Sequence, residues 1–298
     1  MPRITASEFK KIQKSFFKNK PFKNLMEYLL SKGKSIEEQT NQIKAANTFA
    51  AQRDARAVEA LIQVLKVGLL YPKLAASEAL GVIGSPSIAP LIEQIGKIKE
   101  TQNREPPKEA FWDKSYYVHD PAARTLVRVG KPAIAALVDV VEKEIDFKAQ
   151  QAIDALGRIG DESSVKILIG VFSKRHDPMT LWKIVRAVGE THSVYGTKFL
   201  CNVLSDSKLE PYIRWEAADS LGKIADPVSI DYLIAGINNE NVQIRRASAR
   251  SLGKLKDNRA IKPLKTLLAA IPKNINRKSV YFEAKKALSI IKNSVDSD

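Results

Sequence analysis

Side chains suited to catalysis are sparse in this chain of 298 residues. Its three histidines, His119, His176 and His192, stand in no HExxH array and beside no glutamate, so their spacing offers no metal-activated water. There is no GxxxxGK[ST] loop to cradle phosphates and no GxSxG elbow to present a serine. The single cysteine, Cys201, cannot form an internal disulfide or a multi-cysteine zinc site. Its neighbours Phe199 and Leu200 make it a small core residue. What remains is the chemistry of binding. Lys73, Arg214 and Arg245 each stand seven residues ahead of a recurring apolar position and form a ladder of cations. Such a ladder either reaches an acidic ligand or ties each turn to Glu210 and Asn241, and the tie is the favoured reading. Arg124, Arg186, Arg246 and Arg250 are better placed to touch a partner. Trp182 and Trp215 fall on the same helical segments, where aromatics pack more often than they bind. Phe111, Trp112, Tyr116 and Tyr117 crowd one short stretch of a chain only 7% aromatic; they either anchor a partner or fold back on the gap beside them.

The elements that must position these residues recur. Leu74 to Gly84, Pro121 to Gly130, Ala149 to Gly160, Ile213 to Ala225 and Ile244 to Lys256 share alanines, a leucine and usually a glycine. Anchors at Phe49, Leu80, Leu126, Leu156, Val188, Leu221, Leu252 and Leu288 are spaced by 31, 46, 30, 32, 33, 31 and 36 residues, which makes about eight units. Between anchors runs a second apolar stripe, such as Val165, Leu168, Ile169 and Phe172, whose spacing of three and four defines one helical face. Each unit is therefore two amphipathic helices. Asp120-Pro121, Asp177-Pro178, Asp226-Pro227 and Ser85-Pro86 each set a capping side chain before a proline at the first helical position. Glycine costs about 1 kcal/mol inside a helix, so Gly81, Gly157, Gly222 and Gly253 imply helix ends or tight crossings. Thr5 and Glu8 form a capping box for a first short helix striped by Phe9, Ile12 and Phe16, and a second helix covers Phe22 to Leu30.

These units resemble HEAT repeats, most closely the short kind named after the phycobilisome lyases. Asn241 to Leu268 follows that pattern nearly position for position, and the resemblance spans roughly residues 42–292. It implies an all-α, right-handed α-solenoid of about eight two-helix repeats over 35–298. A basic helical cap precedes it at 1–34, and an aromatic insertion interrupts it at about 98–119. The iron-dependent hydroxylases built on HEAT repeats are not supported, because the histidine–glutamate pairs are missing.

Charge is concentrated at the ends. The formal net charge is +15, yet residues 1–34 hold nine basic against two acidic side chains and residues 253–298 hold eleven against four. Duplex nucleic acid along the solenoid would need a basic excess in every unit, and the middle supplies almost none. The expectation is a non-catalytic cytoplasmic scaffold, with no cofactor and no metal, that holds an acidic protein partner on its concave face. Its contacts would be Phe111, Trp112, Tyr116, Tyr117, Trp182, Arg186, Arg214, Trp215, Arg245, Arg246 and Arg250. The resemblance also implies an alternative, a phycobilin lyase-like protein or chaperone in which Trp182, Trp215, Arg186, Arg214 and Tyr116-Tyr117 line a tetrapyrrole pocket. Nucleic-acid binding is the remaining alternative. No run is long and apolar enough to cross a membrane.

Overall fold

A computed structural model describes residues 3–98, 120–144, 146–270 and 280–295. The aromatic insertion, with Phe111, Trp112, Tyr116 and Tyr117, lies outside the described residues, as does His119. The described chain is an α-solenoid of seventeen α-helices with no strand among the described residues. It divides into two compact units, residues 1–159 and 160–298.

In the first unit one layer is formed by α3 (Ile36–Gln52), α5 (Leu70–Ile83), α7 (Pro121–Val129) and α9 (Phe147–Ile159). The other layer holds α2 (Phe22–Leu29), α4 (Val58–Val67), α6 (Ile88–Gln94) and α8 (Ile134–Lys143), and α1 (Ala6–Ile12) packs on α3. The second unit repeats the plan. Here α11 (Pro178–Glu190), α13 (Pro211–Ile224), α15 (Val242–Leu255) and α17 (Val280–Val295) lie side by side, each backed by α10 (Glu162–Phe172), α12 (Thr197–Ser205), α14 (Ile230–Gly236) or α16 (Ile261–Ala270). The anchors Phe49, Leu80, Leu126, Leu156, Val188, Leu221 and Leu252 are wholly buried, as a repeat that shares its core with its neighbours demands. Leu288, on the last helix, is half-buried.

The caps follow the sequence with two differences. Asp120 accepts from the amides of Ala122 and Ala123, and Asp177 from that of Thr180. Asp226 accepts from Val228, but it opens a 3-10 turn that leads into α14 rather than the α-helix itself. Ser85 caps nothing: Gly84, at φ 81°, turns the chain first and leaves Ser85 already inside the 3-10 turn. The glycines mark tight crossings. A Cβ on Gly222 would sit 2.9 Å from Ser251 Cα, one on Gly253 2.8 Å from Ala287 Cα, and one on Gly81 2.9 Å from Arg128 Cβ. Serines close such seams too: Ser251 Oγ donates to the Ala218 carbonyl (2.8 Å) between α15 and α13, and Ser220 Oγ to that of Val185 (3.3 Å) between α13 and α11. Cys201 is buried, and burial first, then the nearby Asp226 charge, push its thiol up to about 11.

The first helix is shorter than its apolar stripe suggests. The Thr5–Glu8 capping box is present, but α1 stops at Ile12. The Asn47 amide on α3 donates to the carbonyls of Ile12, Gln13 and Ser15, which holds the chain out of helix and leaves Phe16 53% exposed.

Candidate functional site

Among the described residues, a dense assembly of charged side chains forms a ridge on the α11–α13–α15–α17 layer. Its construction follows from the repeat, because a residue at a given offset from the buried anchor falls on the same face in every unit. Two residues before the anchor come Arg186, Asp219, Arg250 and Lys286; two after it come Glu190, Lys223 and Lys254; five before it come Lys183, Glu216 and Glu283. Opposite charges on neighbouring helices therefore meet. Arg250 forks onto Asp219, with Nη2 at 2.7 Å from both oxygens and Nε at 3.1 Å from Oδ1. Its Nη1 is also 3.6 Å from Glu283. Lys223 Nζ donates to Glu190 (2.9 Å) and lies 3.6 Å from Glu216. Trp182 Nε1 donates to Glu216 (3.1 Å), and the Arg186 guanidinium stands 5.5 Å over the same indole.

Glu216 is the unusual member. It is 6% exposed, and burial pushes its carboxyl above the ordinary range; the Lys223 cation opposes that shift and the Asp219 charge adds to it. Lys254, one turn beyond Arg250, shifts the opposite way: loss of hydration lowers its ammonium, and repulsion from Arg250 and Lys223 acts in the same sense against the pull of Asp219. Much of the Lys254 side chain reaches solvent, so its dehydration is partial. Arg250 is pulled down by burial but held above its usual value by Asp219 and Glu283. Each of the two groups is shifted by its own neighbours, and a buried carboxyl that holds its proton this way is a candidate for proton exchange.

The residues singled out from sequence divide into two groups. Arg214 and Arg245 turn away from the ridge. Arg214 Nε donates to the Leu204 carbonyl (3.0 Å), and Arg245 Nη1 to those of Asn239 (2.8 Å) and Glu240 (2.9 Å). Both hold backbone carbonyls of the segment just before their own helix rather than the side chains of Glu210 and Asn241. Trp182, Arg186 and Arg250 join the ridge, and Trp215 is half-buried. Arg246 lies 3.6 Å from Glu283, its Nε buried without a hydrogen bond. Sequence reading missed the acidic half, Glu190, Glu216, Asp219 and Glu283. The signal was there: opposite charges at matching offsets from successive anchors.

Because the Asp219–Arg250 fork is charge-assisted and partly screened by solvent, Asp219→Asn should cost about 1 kcal/mol. Urea midpoints would check this, and the loss should shrink in high salt.

A family model described as HEAT repeats matches residues 197–285. The chain is 26% identical over 209 residues to deoxyhypusine hydroxylase-B of Oryza sativa, covering 64% of this chain and 68% of that protein. It is 25% identical over 196 residues to the deoxyhypusine hydroxylase of Candida albicans, covering 59% and 61%. With the Mus musculus enzyme it shares 25% over 225 residues, covering 68% and 71%. Among solved structures, human deoxyhypusine hydroxylase with glycerol aligns over 84% of this chain and 96% of its own, at 18% identity and a TM-score of 0.39. The CpcE–CpcF complex of phycocyanin lyase from Nostoc aligns over 78% and 94%, at 17% and 0.38. The chain thus carries HEAT repeats, and the sequence relatives are hydroxylases rather than lyases. This corrects the expectation of a non-catalytic scaffold, because the three curated relatives are all enzymes of one activity. The missing histidine–glutamate pairs had removed that class from view.

Proposed function

We propose that the chain is an enzyme whose reaction site is the charged ridge of its second unit. The observation that carries this reading is the similarity to three deoxyhypusine hydroxylases, in matches covering 64%, 59% and 68% of the chain. Asn241 to Leu268 supports the short, phycobilisome-lyase-like form of the repeat as part of the same reading.

Hydroxylation needs an oxygen-activating centre, and a non-haem iron would ask for histidines and carboxylates converging on one point. The residues here do not fit one. Among the described residues no group of three or more His, Cys, Asp or Glu side chains is arranged to hold a metal ion. His192 follows the Thr191 C-cap of α11 in the left-handed region (φ 55°), its Nδ1 3.0 Å from the Lys223 carbonyl, and His176 is exposed in the segment before α11.

The ridge's own chemistry is proton transfer. Glu216 holds its proton more firmly than an exposed glutamate, and Lys254 releases its proton more readily than an exposed lysine. Trp182 fixes one Glu216 oxygen by donation, which leaves the other towards Lys223. The substrate that the relatives' name supports is deoxyhypusine.

The test is incubation of the purified chain with a deoxyhypusine-containing peptide, with and without ferrous iron, followed by mass spectrometry. The expected result is a gain of one oxygen by the peptide, drawn from dioxygen with an added reductant, that is lost in Glu216→Gln. A folded protein that leaves the peptide unchanged in both arms overturns the reading, and so does an iron-dependent gain of oxygen indifferent to Glu216.

A further inference from the structure

We propose that the N-terminal cap of the first unit is a docking face for an anionic lipid surface, with Phe16 as its apolar tip. The stretch between Glu8 and Glu27 contains Lys10, Lys11, Lys14, Lys18, Lys20 and Lys23 and no acidic residue. All six lysines are exposed. Lys14, Lys18, Lys20 and Lys23 form no salt bridge among the described residues. No arginine interrupts them. Arginine forks suit a fixed carboxylate or phosphate geometry, whereas a run of compact ammonium charges on flexible stems suits a diffuse negative surface.

The loop after α1 is built to display Phe16. Besides the three carbonyls held by Asn47, the Phe17 amide donates to Thr48 Oγ1 (3.0 Å), so both ends of the loop are fastened to α3. Phe17 turns inward and stacks on Tyr28 with ring centroids 5.0 Å apart, while Lys44 covers its ring at 5.7 Å. Its neighbour Phe16 consequently points out, 53% exposed, between Lys14 and Lys18. A fastened loop presents that ring without the entropy loss of ordering it on contact. An acidic protein would satisfy the charge alone; an apolar tip flanked in sequence by exposed lysines also matches the boundary of a bilayer, where rings enter and ammonium groups stay at the headgroups.

Sedimentation of the full chain with phosphatidylcholine vesicles, with and without phosphatidylserine, tests this. Binding is expected only with phosphatidylserine and should fall as salt is raised. Each lysine near an anionic surface is worth about fivefold in partitioning, so Lys14→Ala, Lys18→Ala and Lys20→Ala together should lose on the order of a hundredfold. Phe16→Ser should lose roughly tenfold or more, since the ring's burial is removed. All four positions are exposed, so circular dichroism and melting should be unchanged and will confirm that the variants fold. Absence of binding to phosphatidylserine vesicles, equal binding by the triple variant, or binding to duplex DNA or an acidic protein instead would each overturn the proposal.

Discussion

Gly222→Ala should destabilise the protein by about 2 kcal/mol, although alanine is the better helix former by about 1 kcal/mol. The new Cβ would stand 2.9 Å from Ser251 Cα, a backbone atom that moves only if α13 and α15 separate along their length. Separation would also stretch the bond from Ser251 Oγ to the Ala218 carbonyl, which ties the same two helices. Gly189 faces Ser220 Cα at the same 2.9 Å, so the seam between α11 and α13 should respond alike. Gly170 on α10 supplies the opposite sign: nothing lies within 4 Å of its missing Cβ, and Gly170→Ala should stabilise by about 0.5–1 kcal/mol. Urea unfolding of the two variants decides the matter; equal effects would mean that the helix crossing is not what demands glycine.

On the proposed function, Glu216→Gln should lower turnover of the deoxyhypusine-containing peptide by on the order of a hundredfold or more, the usual worth of a positioned acid or base. The amide keeps an oxygen for Trp182 Nε1, and Lys223 keeps Glu190, so the ridge should stay assembled. The same variant has a pH signature in stability. Because the folded carboxyl titrates above its ordinary 4.5, native protein binds the proton more tightly than the unfolded chain. Wild type therefore loses stability as pH rises from about 4.5 through the folded value, and glutamine removes that loss. Melting temperatures from acid to neutral pH should show the variant gaining on wild type; parallel curves would mean that Glu216 ionises as an exposed glutamate does.

The layered architecture was legible because it depends on short-range order. The anchor series Phe49 to Leu288 and the stripes between set helix count and facing, and glycine inside a helix pointed to close crossings at Gly222 and Gly253. Cys201 and the Thr5–Glu8 box were readable for the same reason. Phe16 was misjudged because a side chain thirty residues away, Asn47, takes the carbonyls that would have extended α1. The opening of α14 was misjudged at Asp226 because a 3-10 turn and an α-helix begin with the same residues.

Composition and periodicity alone thus establish repeated helical pairs, their buried faces and two basic ends, since these depend on side-chain type and on a spacing of three and four. Stacking decides the rest. Only the lateral packing of α11, α13, α15 and α17 brings Asp219 to Arg250, Glu190 to Lys223 and Glu216 to Trp182. Each pair is separated by about one repeat of chain, and its energy depends on the gap between helices and on the water excluded from it. Removal of that water is what shifts Glu216, so the group on which the proposed chemistry turns is a property of neighbouring repeats in contact.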